Sequence, residues 1–140
     1  MMSVVKDAER LGDYAKNIYQ VRRLISKPID KSLFSKHFNE IDKKIIQMFD
    51  DTKTAFIDSD EEKARAIWKT ERYVVKKCDT IIEDIAKSSL SVDQAVAFVL
   101  IARYFKRTAA HLTNIATSVI LPISEIDFFD DSRRKEDAGT

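Results

Sequence analysis

The stretch ARAIWKTERYVVKKCDTIIEDI, residues 64–85, decides the fold. Within it Ala64, Ile67, Glu71, Val74, Cys78, Ile81 and Ile85 recur at alternating steps of three and four, the period that lines one face of an α-helix rather than one face of a strand. Every member is small or apolar except Glu71, so the stretch predicts a long helix with one buried seam and a single charge inside it. Ser59 or Asp60 ahead of it offers a capping oxygen, and Glu61 and Glu62 favour the positive end of a helix dipole.

The same rhythm extends in both directions. Upstream, Phe34, Phe38, Ile41, Ile45, Met48, Thr52 and Ala55 form a continuous seam that the cluster Asp58-Ser59-Asp60 ends. Downstream of Ser91, Phe98, Ala102, Phe105, Ala109, Leu112, Ala116 and Val119 alternate large and small residues, a pattern that lets another helix approach closely. A first segment from about Ser3 to Ser26 repeats the spacing with Val4, Ala8, Leu11, Ala15, Ile18, Arg22 and Ile25, and Pro28 closes it. Four long amphipathic helices with short connections predict an all-α, up-and-down bundle with interaxial angles near about 20°.

Composition agrees. With 140 residues the chain has the size of one domain, and Gly 2 and Pro 2 leave too few turn formers for an all-β fold. Lys+Arg 24 against Asp+Glu 23 gives no one-signed field, so neither nucleic acid nor membrane insertion is expected. Cys78, the one cysteine, allows no internal disulfide. The longest apolar run, Ala95 to Ala102, is too short to span a bilayer, and the start Met1-Met2-Ser3-Val4-Val5-Lys6 is unlike a signal peptide. A cytoplasmic protein is the expectation, with residues 131–140 as a disordered tail.

Sliding the chain on itself by 97 positions sets Arg10 on Arg107, Asn17 on Asn114, Ile18 on Ile115, Leu24 on Leu121, Ile29 on Ile126 and Asp30 on Asp127. The first and last helices are therefore expected to be copies of one unit. Glu9-Arg10-Leu11-Gly12-Asp13-Tyr14-Ala15-Lys16-Asn17-Ile18 resembles the Glu-Arg-Ile-Gly-Asp-x-x-x-Asn-Ile signature of the PhoU family. Arg103 to Ala116 is similar to a second copy. The resemblance implies regulation of phosphate uptake and binding of metal clusters. It also implies the organisation: residues 1–27 as the last helix of a first repeat lacking its other two helices, and 30–130 as a complete three-helix repeat.

The residues qualify that picture. Where the signature has Glu and Asp, the second copy has Lys106 and Ala110, so that copy is not expected to hold metal. Glu9 and Asp13, at i and i+4, are the candidate metal ligands, half of a site for a divalent metal or an Fe/Zn cluster, with weak or lost binding expected. Gly12 in mid-helix predicts close packing by another helix. Glu71 on a buried seam needs a partner, and Lys106 beside the fourth seam is the expected one in a structural ion pair. His37 and His111 lie outside any Glu-x-x-His motif, because Phe34 and Thr108 occupy the glutamate positions. With no nucleophile grouping and no glycine loop, the chain is not expected to be an enzyme. The expected role is regulation of phosphate transport or signalling by contact with a phosphate transporter or sensor protein, as a homodimer. The alternatives are a detached regulatory domain related to the cytoplasmic part of a sodium/phosphate cotransporter, or a structural helical module without ligand.

Overall fold

The computed structural model describes residues 2–118. They form five α-helices and one 3₁₀ turn: α1 (Met2–Gln20), the turn Val21–Leu24, α2 (Lys31–Phe38), α3 (Ile41–Asp58), α4 (Glu61–Ala86) and α5 (Val92–Thr117). Among the described residues no helix is long and apolar enough to cross a membrane. The expected tail at 131–140 and the seam residue Val119 lie outside the described residues.

Helices α3, α4 and α5 pack on one another as the core unit, and α1 docks along α5. All seven seam residues of α4, Glu71 included, are buried, as are Ile41, Ile45, Met48, Thr52 and Ala55 of α3. Asp60 caps α4 by accepting the Lys63 amide at 3.0 Å. Neighbouring helices run antiparallel, as the ion pairs show: Lys63 of α4 reaches back to Asp51 of α3, and Lys106 of α5 reaches back to Asp79 of α4. The expected all-α bundle is what the chain forms.

The second helix is broken, however. Asn39 (φ 43°) and Glu40 (φ 70°) both adopt the left-handed conformation, which ends α2 and starts α3 afresh. The Asn39 amide still bonds the Ser35 carbonyl at 2.9 Å, so α2 closes with a left-handed cap, for which asparagine is among the better residues. Phe38 and Ile41, on either side of the break, are both 0% exposed. The seam therefore survives while the helix does not. Phe38 packs edge-on to Phe98 and Phe105, at centroid distances of 5.8 and 5.7 Å, and this ties α2 to α5.

Two expectations about α1 are corrected. Its buried side is rotated from the predicted one: Tyr14 and Val21 are buried, while Ala8, Ala15 and Arg22 are exposed. The spacing Val4, Asp7, Leu11, Tyr14, Ile18, Val21, Ile25 fits a helix equally well, and a tyrosine and a valine remove more apolar area from water than two alanines. Gly12 is exposed, with nothing within 4 Å of where a Cβ would sit, so among the described residues no other helix packs closely on it.

Candidate functional site

Helix α5 has two buried faces because it is central. One is the predicted seam, turned to α3 and α4; the other carries Ala97, Ile101, Thr108 and Ile115, with half-buried Tyr104 and His111 at the same helical spacing, and it meets α1. At that contact Asp7 and His111 pair at 2.6 Å, Oδ1 to Nδ1, with side chains only 13% and 25% exposed. The Tyr14 hydroxyl lies 3.3 Å from Nε2 of the same ring. A carboxylate oxygen accepts, so Nδ1 carries the proton; in the neutral imidazole Nε2 is then an acceptor and Tyr14 donates to it. Asn114 donates to Asp7 over a longer 3.5 Å, and the Tyr14 and Tyr104 rings stack at 6.2 Å.

This cluster escaped the sequence reading for a definite reason. Under the 97-residue offset Asp7 corresponds to Tyr104 and Tyr14 to His111, so a search for shared residues passes over both pairs. The available signal was the alternative 3,4 spacing on α1 and α5, hidden because several of its members are polar.

The predicted site residues fare differently. Glu9 and Asp13 share α1 and are both exposed. Among the described residues no group of three or more His, Cys, Asp or Glu side chains gathers where it could hold a metal. Two carboxylates are too few for a hard cation, which takes six or more oxygens or keeps much of its water. Asp13 moreover lines a cleft with Arg10, Lys16 and Arg107, cations that oppose a metal ion. A single chain does not fit the metal cluster that the family resemblance implies.

Glu71 is 2% exposed in the α4 seam. Lys106 does not serve it: its ammonium donates to Asp79 at 2.9 Å, eight residues farther along α4 and so about 12 Å away at 1.5 Å per residue. The antiparallel register of α4 and α5 sets Lys106 opposite Cys78 and Asp79 rather than opposite Glu71, which corrects the predicted pair. Cys78 is fully buried, and burial with the nearby Asp79 charge pushes its thiol up to about 12. Such a thiol stays protonated and serves as core.

A cleft lies between α1 and α5. It is open to solvent, has a volume of about 330 Å³ and is lined by Arg10, Asp13, Tyr14, Lys16, Asn17, Gln20 and Arg107. Arg10 and Arg107 are equivalent under the repeat, and they reach the cleft from α1 and from α5. Polar donors dominate the lining.

Comparison with known proteins adds a family. Residues 38–119, which span α3, α4 and α5, match the PhoU domain. The chain is 28% identical over 118 residues to the phosphate-specific transport system accessory protein PhoU homolog 1 of Thermotoga maritima, covering 81% of this chain and 51% of that protein. It thus spans about half the length of that curated relative. No solved structure matches the chain.

Proposed function

Because the chain belongs to the PhoU family, as the domain match across its three core helices shows, we propose that it is an accessory regulator of phosphate transport, acting in the cytoplasm through contact with a phosphate transporter or its sensor. The similarity to an accessory protein of a phosphate-specific transport system carries this reading. A non-catalytic role is in keeping with the chemistry present: the one thiol is buried and protonated, and both ring nitrogens of His111 are engaged by Asp7 and Tyr14. Deleting the gene in its native host and measuring radiolabelled phosphate uptake in phosphate-rich medium tests the role. Uptake rises in the deletion strain and returns to the parental level when the gene is restored; uptake identical with and without the gene overturns it.

The regulator works as a homodimer in this proposal. Helix α1 packs along α5, leaving Ala8, Gly12 and Ala15 on an open face where small side chains permit a second helix to come close. Light scattering at micromolar concentration returns twice the 16.1 kDa chain mass. A strict monomer at every concentration tested overturns the dimer and leaves the transport role to the uptake assay.

A further inference from the structure

We propose that the α1/α5 cleft binds inorganic hydrogen phosphate, with Arg10, Lys16 and Arg107 holding its charge and Asp13 accepting its P–OH hydrogen. Arg10 and Arg107 come from different helices and line the same cleft with Lys16. Among the described residues none of the three cations has an ion-pair partner. Three cations against the single Asp13 carboxylate leave the cleft net positive, and an anion between them removes the remaining repulsion. Two guanidinium forks, one from each helix, suit tetrahedral oxygens, since each can donate two parallel hydrogen bonds. The half-buried Asn17 and Gln20 amides add donors along α1. An open cleft of about 330 Å³ accommodates a small oxyanion with part of its hydration.

Asp13 gives the cleft a preference among such anions. A carboxylate facing an anion repels it unless the anion brings a hydrogen to share. Hydrogen phosphate carries that hydrogen at neutral pH and sulfate does not, so the same group admits one and rejects the other. The assignment therefore inverts the role that the family resemblance implies for Asp13, from cation ligand to acceptor in an anion site. It gives the proposed regulator its signal and rests on that reading for its purpose, while binding by the purified protein tests it separately.

Calorimetric titration of the full chain with potassium phosphate and with potassium sulfate, at matched ionic strength, is the experiment. Phosphate binds saturably, and sulfate about tenfold or more weaker, because the site's acceptor is left facing a second acceptor. Arg10→Gln and Arg107→Gln each weaken phosphate about tenfold, with Arg107→Lys intermediate because it keeps the charge but loses the fork. Asp13→Asn brings sulfate close to phosphate. Circular dichroism and the Arg107→Lys variant separate loss of binding from loss of fold. No saturable phosphate binding up to millimolar concentration, phosphate bound no better than sulfate, or binding indifferent to both arginine substitutions overturns the assignment. Should phosphate bind while uptake is unaffected by the gene, the site stands and the regulatory role falls.

Discussion

At His111 one ring nitrogen meets a carboxylate and the other a phenol, so this side chain is fixed from both ends between α1 and α5. Lys106, one turn earlier on α5, also makes a short ion pair, but with 38% and 51% of the two side chains exposed. Geometry alone would rank the two pairs together; burial separates them, because water competes for the exposed pair and barely reaches the other. Asp7→Asn should therefore destabilise the protein by about 1–3 kcal/mol, since it weakens a charge-assisted bond in a half-dry contact. Lys106→Ala should cost less than about 1 kcal/mol. Urea melts of the two variants check the order. An equal and small effect of both would mean that α1 is not anchored through His111.

The helices show what a sequence pattern does and does not carry. The seams of α3 and α4 were legible because each has one buried face, and a single 3,4 rhythm describes it. α5 has two, and its second face was masked by Thr108, His111 and Tyr104, which a count of apolar residues skips. The α1 face was ambiguous because alanines at 8 and 15 compete with Tyr14 and Val21 for the same rhythm, and only the partner surface decides. Likewise nothing in the Phe34 to Ala55 rhythm betrays the break at Asn39 and Glu40, since the buried residues stay in register across it. Glu40 at φ 70° holds a conformation that disfavours any Cβ; Glu40→Gly should stabilise by about 1 kcal/mol, outweighing its exposed pair with Lys43. Gly12→Ala in the open middle of α1 should add about 1 kcal/mol in thermal melts of dilute protein. A loss there would show that something does press on that face. At the other end of the α1 segment, Asp93 accepts from the Ser26 amide and hydroxyl at 3.1 and 3.2 Å. The Ser91 hydroxyl, then these Ser26 groups, hold its carboxyl down at about 2, against an ordinary 3.8. A lowered folded value means that this tie is intact above about pH 4 and is lost as pH falls toward 2. The Ser26 amide resonance should shift with a midpoint near 2 in the parent and lose that titration in Asp93→Asn.

For the molecule as a whole, the pairings differ in how far apart they lie along the chain. α3 with α4, and α4 with α5, close as hairpins through connections of a few residues. The bonds that hold α1 join positions 97, 104 and 107 residues apart. Closing so long a loop before any contact rewards it is slow, so the three-helix unit should form first and α1 should dock last. Stopped-flow measurements on Asp7→Asn should then show faster unfolding with the folding rate unchanged, whereas Ile81→Val in the α4 seam should slow folding. The same order holds in reverse. If α1 docks last, it should also lift first while the rest stays folded, and with it go one wall of the Arg10–Arg107 cleft and the bonds of His111 to Asp7 and Tyr14. Whatever occupies that cleft thus sets the lifetime of the docked arm, turning ligand concentration into a dwell time that a partner can read.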